Sequence, residues 1–336
     1  MNSVPLKRSA LVARTQEHPA SIGAGEEDET ASDRSDLPAT AALLGVDWGS
    51  TAVRAVLLDR GGNVVASDRL DAGVRSARGR ACEQVFDLVT SRWMDDLSDL
   101  PVLLTGMVGS AQGWREAPYT DCPADLEAIA SGLVQAPRAN TWIVPGVAGH
   151  GISGAPDVMR GEETQLLGLE GDGAVLLPGT HTKWANLEQG KITQFTTCIT
   201  GETFELLRDP GLIGAVMSGT TLDEAAFRRG LADLERPGGL LHHIFTVRSR
   251  ALRGDLDSEA AWSYAWGLLI GSEVDGMTRA LHLDEPVRIV GTAGLSALYR
   301  CALQARGIEA ECIAGQEAAG RGLIRIARAA GLIGSS

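Results

Sequence analysis

Residues 43–51 read LLGVDWGST, an apolar run that ends in an aspartate, a tryptophan, a glycine and two hydroxyl side chains. The pattern predicts a buried strand and a tight turn, followed by a second strand over residues 52–58. In this turn Gly49 lets the backbone approach an anion closely, and Thr51 adds a hydroxyl donor. Asp47 lies at the end of the strand, where its carboxylate is well placed to hold a hydrated Mg²⁺. The hairpin is therefore predicted to bind phosphate, and an ordinary hairpin with a polar turn is the alternative.

A second turn of the same kind occurs near the start of the other half of the chain. An apolar strand is predicted over residues 174–177, the string PGTHTKW follows at 178–184, and another strand is predicted over 192–196. Two such loops on two domains can bind one polyphosphate from opposite sides. Within the second loop, His181 either donates to that phosphate or only fills a loop position.

A third string, GTAG at residues 291–294, follows an apolar strand with small residues. Small residues let a flat ring lie against the backbone, although a plain strand-to-helix turn is the alternative. Together, the three strings predict a nucleotide cleft between two domains. The predicted nucleotide-binding residues are Gly49, Ser50, Thr51, Gly179, Thr180, His181, Thr182, Lys183, Gly291, Thr292, Ala293 and Gly294.

The bulk composition argues against several classes of protein. A chain of 336 residues, with 22% charged and 44% hydrophobic residues, is typical of a soluble globular protein with two domains. The formal net charge of −13 argues against a nucleic-acid partner, because such contacts need clustered Lys and Arg. No apolar run approaches the roughly 18 residues that cross a membrane. The five scattered cysteines lack Cys-x-x-Cys spacing, so a reduced, cytoplasmic location is predicted.

Residues 1–40 differ from the rest of the chain. The stretch 23–36 is rich in Glu, Asp, Ser and Gly and has little apolar material to bury. It lacks the hydrophobic segment of a secretory signal, and its acidity is unlike that of a transit peptide. We therefore predict a disordered acidic extension over residues 1–40, after which the folded part begins at residue 41.

Several strings of the chain resemble one known family. They are DWGST at 47–51, GMVGS at 106–110 with GW at 113–114 and APY at 117–119, MRGEETQLLG at 159–168, PGTHTKW at 178–184 and LLIGSE at 268–273. They are similar to strings of the 2-dehydro-3-deoxygalactonokinases, which belong to the actin/hexokinase/Hsp70 superfamily. The likeness extends from about residue 42 to the C-terminus. The first string is common among sugar kinases, whereas those at 159–168 and 178–184 are long and specific.

The resemblance implies a fold and a reaction. The fold is α/β, with two actin-like (ribonuclease H-like) domains whose mixed five-stranded sheets surround a central cleft. Residues 41–168 would form the N-terminal domain with the sugar-acid site, and residues 169–336 the C-terminal domain with the nucleotide site. ATP, with Mg²⁺, would phosphorylate the 6-hydroxyl of 2-dehydro-3-deoxy-D-galactonate in D-galactonate and galactose catabolism. Such a transfer depends on positioning and charge neutralisation more than on covalent chemistry.

The resemblance also indicates candidates for the general base. The substrate hydroxyl must lose a proton, and a carboxylate within hydrogen-bond reach is the usual acceptor. Related sugar kinases carry a catalytic Asp in a Gly-Asp-Gln segment, which Gly161-Glu162 resembles. Glu162 is the first candidate and Glu163 the second, while Asp47 is a rival whose carboxylate suits the metal better. The alternative for Glu162 is an acid at a helix N-terminus, which the helix dipole favours.

The sugar acid is an anion, so its carboxylate needs a cationic partner. Arg160, Arg115 and Lys183 lie within or beside the matching strings, and Arg is better suited to bidentate binding of a carboxylate. The other predicted substrate-binding residues are Ser110, Gln112 and Trp114, on a loop that contacts the sugar in related kinases, and Trp48. Trp48 either walls the pocket or packs beneath the turn.

Other functions stay open at this point. A non-catalytic sugar sensor would usually carry a basic helix-turn-helix segment, which residues 1–40 do not resemble. An actin-like ATPase that polymerises or acts as a chaperone would need large insertions or a peptide-binding domain. Within the kinases, a ketose or a polyol is the runner-up substrate, and selectivity between galactonate and gluconate epimers is not fixed by the sequence. The predicted partners are a small sugar acid and ATP, without nucleic acid or membrane, and a homodimer is one oligomeric state left open.

Overall fold

The computed structural model describes residues 40–79, 81–93, 100–209, 211–281, 283 and 286–334. The predicted disordered extension therefore lies outside the described residues, apart from Thr40. Among the described residues, no helix is both long and apolar enough to cross a membrane.

The first half of the chain builds one large sheet and one small one. Its strands are β1 (Ala41–Trp48), β2 (Val53–Asp59), β3 (Val64–Leu70), β4 (Val102–Gly106), β5 (Tyr119–Asp121), β6 (Val134–Gln135), β7 (Thr141–Ile143), β8 (Gly146–His150) and β9 (Pro156–Met159). Its helices are α1 (Ala81–Val89), α2 (Leu126–Ser131) and α3 (Glu162–Leu167), with a 3₁₀ turn at Met107–Gly109. The large sheet has the order β3–β2–β1–β4–β7–β6, and the small sheet has the order β5–β8–β9.

The second half builds one sheet and most of the helices. Its strands are β10 (Gly173–Leu177), β11 (Thr182–Glu188), β12 (Lys191–Cys198), β13 (Val287–Gly291) and β14 (Ala310–Ala314), in the order β12–β11–β10–β13–β14. Its helices are α4 (Thr200–Arg208), α5 (Glu224–Asp233), α6 (Gly239–Leu252), α7 (Ser258–Ala280), α8 (Ala293–Gln304) and α9 (Gly315–Ala329), with a 3₁₀ turn at Gly214–Val216.

The two large sheets share one topology, which confirms the predicted fold class. In each sheet, the first three strands of the chain pair antiparallel in sequence order. Later strands pair parallel, beginning on the free edge of the first strand. The prediction of five strands holds for the second sheet. In the described part of the chain the first sheet has a sixth strand, β6, because residues 134–135 pair antiparallel with β7. No apolar run signals so short an edge strand.

Strand β1 has apolar residues on both of its faces. Leu44, Val46 and Trp48 belong to a buried cluster that also contains residues of α1, whereas Leu43 belongs to the core between the two large sheets. Because side chains of a strand alternate between its faces, Asp47 lies on the same face as Leu43. The alternation therefore directs Asp47 toward the second half of the chain and Trp48 away from it.

Helix α9 comes from the end of the chain but packs on the first half. A Cβ placed on Gly322 would lie 1.7 Å from the carbonyl oxygen of Thr164 in α3. A Cβ placed on Gly45 of β1 would lie 2.7 Å from the Leu323 side chain. Residues of both halves consequently belong to one continuous apolar core.

The close approach of α9 to α3 generates a stability prediction. Gly322→Ala should lower the free energy of unfolding by about 1–3 kcal/mol, because the added methyl group meets backbone that cannot move aside cheaply. Gly276→Ala is the matched control, since Gly276 is a helical glycine of α7 whose Cβ would meet only open space. It should raise stability by up to about 1 kcal/mol. Urea unfolding of both variants measures the difference, and equal effects would contradict the described contact.

Candidate active site

The turn between β1 and β2 is fixed by the segment that follows β3. The carbonyl oxygens of Gly49, Ser50 and Thr51 accept hydrogen bonds from the N–H groups of residues 73–75, at 2.9–3.1 Å. Among the described residues, the N–H groups of Ser50 and Thr51 have no acceptor. The carbonyl oxygens therefore serve the fold, and the two N–H groups are left for an anion.

The second loop, residues 178–181, is supported by the first turn of α4. A Cβ placed on Gly201 would lie 2.4 Å from the carbonyl oxygen of Gly179, so only glycine permits this approach. The Glu202 N–H donates to the Thr180 carbonyl at 2.9 Å, and the Glu202 carboxylate lies 2.5 Å from His181 Nε2. Within the described part of the chain, the N–H groups of residues 179–181 have no acceptor. This loop can also bind an anion through its backbone.

The third loop, residues 291–294, lies beside the second. A Cβ placed on Gly291 would lie 3.5 Å from Pro178 and 3.4 Å from Ser296 Oγ. Thr292 precedes the first turn of α8, which contains Ala293 and Gly294. Ser296 is buried, and its hydroxyl has no partner among the described residues. Sequence reasoning missed Ser296, whose only signal was its place one turn into a helix behind a glycine-rich loop.

Three carboxyl groups, of Asp47, Glu162 and Glu163, lie close together where β1 and α3 meet. Gly161, with φ +113°, turns the chain into α3, and a Cβ placed on it would lie 3.4 Å from Gly106 at the end of β4. Glu162 Oε2 accepts a hydrogen bond from the Arg160 N–H at 3.1 Å. Parallel pairing of β1 with β4 and the glycine turn therefore bring the three predicted acids to one place.

Glu162 forms an ion pair with a residue of the second half. Its Oε1 lies 3.0 Å from Lys183 Nζ, and the Lys183 side chain is only 4% exposed. Lys183 also donates to the His181 carbonyl at 3.1 Å. The pair joins the first turn of α3 directly to the end of the second loop.

Glu163 points into the protein although it follows Glu162 directly. It is fully buried, and it accepts hydrogen bonds from the Gly161 N–H at 2.6 Å and from Thr105 Oγ1 at 3.3 Å. Burial raises the pKa of Glu163 to about 8, and the charge of Glu162 adds to the rise. Glu163 is therefore largely protonated at neutral pH and has no open path to a substrate in this conformation.

Asp47 is exposed to solvent, yet enough protein surrounds its carboxyl group to desolvate it. Desolvation and then the charge of Glu162 raise its pKa, while Arg54 opposes the shift from the facing position on β2. Among the described residues, no group of three or more Asp, Glu, His or Cys could hold a metal ion. An open carboxylate beside a phosphate loop nevertheless fits a Mg²⁺ that takes its other ligands from phosphate and water.

Not all of the predicted substrate-binding residues lie near the three carboxyl groups. Arg160 precedes α3, and its guanidinium lies 4.3 Å over the Tyr119 ring and donates to the Ala117 carbonyl at 2.8 Å. Arg115 is exposed and donates to the Gln135 carbonyl at 2.6 Å, at the β6 edge.

The remaining members of this set lie on the loop after β4, apart from Trp48. The Ser110 hydroxyl donates to the Met107 carbonyl at 2.8 Å, and Gln112 is exposed. Trp114 packs against Phe86 and Trp48. Trp48 is fully buried. This position corresponds to the second of the two predictions for Trp48, in which it packs beneath the turn.

A buried carboxylate behind the second loop was not singled out by the sequence. Glu273 of α7 accepts hydrogen bonds from Trp184 Nε1 at 2.7 Å, from the Tyr299 hydroxyl at 2.7 Å and from the Thr200 hydroxyl. The Thr182 hydroxyl is also buried, 2.8 Å from the Tyr299 hydroxyl, so its side chain faces this network rather than the cleft.

The chain is similar to known proteins along most of its length. The model of a family described as 2-keto-3-deoxy-galactonokinase matches residues 47–326. A 2-dehydro-3-deoxygalactonokinase of Escherichia coli (strain K12) is 36% identical over 294 residues, which cover 86% of this chain and 99% of that protein. A protein of Rhizobium meliloti (strain 1021) with the same enzyme name is 34% identical and covers 84% of this chain and 96% of its own.

Solved structures give the same picture. The crystal structure of a protein from Sinorhizobium meliloti, described as a 2-dehydro-3-deoxygalactonokinase, matches with a TM-score of 0.76 at 32% identity, over 85% of this chain and 98% of that one. Component A of the (R)-2-hydroxyglutaryl-CoA dehydratase of Acidaminococcus fermentans matches with a TM-score of 0.50 at 16% identity, over 86% and 98%. The second likeness concerns the fold alone.

The buried carboxyl group of Glu163 predicts a pH effect on stability. Its pKa is about 8 in the folded protein and near 4.5 in the unfolded chain, so the folded state binds the extra proton between these values. The stability that this group contributes is therefore present at low pH and falls as the pH rises toward 8. The glutamine of Glu163→Gln cannot titrate. The free energy of unfolding of this variant, minus that of wild type, should therefore increase by a few kcal/mol (order of magnitude) between pH 5 and 8 and then level off.

Urea unfolding at intervals across this pH range measures the effect. Glu127→Gln, at an exposed acid in the first turn of α2, is the control, and its difference from wild type should stay flat. A flat difference for Glu163→Gln as well would contradict the described burial of that carboxyl group.

Proposed function

Because the chain belongs to the 2-keto-3-deoxy-galactonokinase family, and is therefore a sugar-acid kinase, we propose that it transfers the γ-phosphoryl group of ATP to the 6-hydroxyl of 2-dehydro-3-deoxy-D-galactonate. The product would be the 6-phosphate, formed in D-galactonate and galactose catabolism. The observation that carries the proposal is the Glu162–Lys183 ion pair, which joins a carboxylate of the first half to the second anion-binding loop.

The backbone loops would bind the nucleotide. The N–H groups of residues 50–51 and 179–181 are directed to no acceptor in the described part of the chain, and they lie on opposite halves. Such donors hold phosphate oxygens without any net positive charge. Residues 291–294 would lie against the adenosine, next to the second loop. Mg²⁺, when bound, would neutralise phosphate charge, and Asp47 would hold it.

Glu162 is the best general base of the three carboxyl groups. Glu163 is closed off and largely protonated, so it cannot accept the proton from a substrate. Asp47 is open, but it lies at the end of the first phosphate loop, where a metal role suits it. Glu162 is partly exposed, and its carboxylate lies beside the end of the second loop. It can therefore accept the proton of a hydroxyl that attacks the γ-phosphorus.

Lys183 would connect the base to the phosphate. Two of its N–H groups are directed at Glu162 and at the His181 carbonyl, at 3.0 and 3.1 Å, which leaves the third for a phosphate oxygen. An ammonium held in this way neutralises charge that develops on the transferred group. Arrival of ATP would then weaken the hold of Lys183 on Glu162 and free the base for the sugar.

Arg160 would bind the carboxylate of the sugar acid. Its Nε and Nη1 atoms are buried and have no acceptor among the described residues. Buried guanidinium N–H groups without an acceptor are costly, and a carboxylate oxygen can satisfy such a group. Arg115 already donates to a backbone carbonyl away from the acids, so it is the weaker candidate.

A direct test of the substrate measures ADP release with a panel of sugar acids and neutral sugars. Activity should be highest with 2-dehydro-3-deoxy-D-galactonate and should yield the 6-phosphate. Arg160→Lys should raise KM for the acid by roughly tenfold or more, whereas Arg115→Lys should leave it within twofold. Preference for a neutral ketose or polyol would overturn the proposal, and no ADP release with any member would favour a sensor.

The base is tested by a neighbouring pair of substitutions. Glu162→Gln should lower kcat by about 100- to 10,000-fold with little change in either KM, because it removes the proton acceptor and keeps the shape. Glu163→Gln is the matched control and should keep most of the turnover at neutral pH. Near-normal turnover in Glu162→Gln, or the reverse order of the two variants, would show that another group is the base.

A further inference from the structure

Glu273 is a buried acid without a cationic partner in the described part of the chain. It is 8% exposed, and no ion pair among the described residues includes it. A buried carboxylate needs hydrogen bonds to compensate for lost hydration. Trp184, Thr200 and Tyr299 provide them from three different elements, β11, α4 and α8.

The carboxylate also fixes the direction of the hydrogen bonds around it. Glu273 accepts from three donors, and one of them is Tyr299, which uses its one hydroxyl proton on this carboxyl group. The Tyr299 oxygen, 2.8 Å from Thr182 Oγ1, is then the acceptor for the Thr182 hydroxyl. A five-residue network results, which we call the Glu273 network: Glu273, Trp184, Thr200, Tyr299 and, at its end, Thr182.

The arms of the Glu273 network belong to elements that adjoin the loops of the proposed nucleotide site. Thr182 directly follows the second loop, and Trp184 lies two residues further along the same strand. Thr200 begins α4, whose next residue, Gly201, is in close contact with the backbone of that loop. Tyr299 belongs to α8, which begins at the third loop.

We propose that Glu273 is a positioning residue for the nucleotide, holding the second and third loops in the relative arrangement that binds ATP. The proposal rests on the proposed role of these loops in nucleotide binding. Glu273 is buried and would not itself contact the nucleotide. It acts through Thr182 and Thr200 on the second loop, and through Tyr299 on the helix that follows the third.

The second half contains a matched control for this proposal. The Tyr264 hydroxyl of α7 donates to the buried carboxylate of Asp233 at 2.8 Å and lies 2.9 Å from the Thr246 hydroxyl. Both networks contain a threonine, a tyrosine and a buried carboxyl group, although Asp233 is also ion-paired with Arg236 and Arg250. The Asp233 network, however, joins α5, α6 and α7 and contacts neither loop. Removing either tyrosine hydroxyl should cost similar stability, and only one should affect the nucleotide.

The experiment measures ADP binding by calorimetry, without any sugar, for Tyr299→Phe and Tyr264→Phe. Tyr299→Phe should weaken ADP binding roughly tenfold, about the contribution of one hydrogen bond, and should raise KM for ATP by a similar factor. KM for the sugar acid should stay within twofold. Tyr264→Phe should bind ADP as wild type does, although its unfolding midpoint falls by a similar amount.

Thr200→Val is the second variant, because it breaks another arm of the Glu273 network and tests the proposal even where Tyr299→Phe does not fold. It should also weaken ADP binding, by several-fold. If both variants lose stability and bind ADP within twofold of wild type, the network is only structural and the proposal is overturned. Failure of the wild-type protein to bind ADP would overturn the proposed nucleotide site together with it. A change in substrate preference alone would affect only the assignment of the sugar.

Discussion

The ion pair between Glu162 and Lys183 is the interaction on which the arrangement of the site depends. The Lys183 side chain is almost fully buried, at 4% exposure, and an ammonium in that position is unfavourable unless an anion lies beside it. The anion comes from the other half of the chain, so the pair forms only when the two halves are correctly placed. The charge of Glu162 also adds to the rise that burial causes in the pKa of Asp47 and of Glu163.

Local patterns were enough to predict the strand-turn-strand segments, because these depend on short-range rules, whereas the fold class was implied by the family resemblance. A strand, a glycine turn and a second strand are read from neighbouring residues, and the sequence showed this pattern in both halves of the chain. The opposite directions of Asp47 and Trp48 also follow from strand alternation, which would have favoured the packing alternative for the tryptophan. The ranking of Glu162 above Glu163 came from the family resemblance and not from helix geometry. Two consecutive residues of a helix point about 100° apart, and only the position of the second half shows which of them faces the cleft.

The Glu273 network lies beyond such rules because its partners are distant in sequence. Glu273 is 89, 73 and 26 positions away from its three donors. One signal was present, since Glu273 is an acid within a helix that is otherwise buried over most of residues 261–274. An acid in such a place is usually retained for the hydrogen bonds it accepts. That reasoning identifies the residue but not its partners, which only the packing of four elements reveals.

The charge balance of the protein shows how the cleft selects its ligands. The chain carries a formal net charge of −13, yet ATP and a sugar acid are both anions. The net charge therefore offers them no general attraction, and at physiological salt such fields fade within about 8 Å. In the proposed site the attraction is short-range and comes from backbone N–H groups on two loops, the Lys183 ammonium and the Arg160 guanidinium. Each acts over a single contact distance, so an anion gains from the site only where its oxygens match these positions. Selectivity for one sugar acid is then a matter of donor placement, which the shared core and the ion pair hold in position.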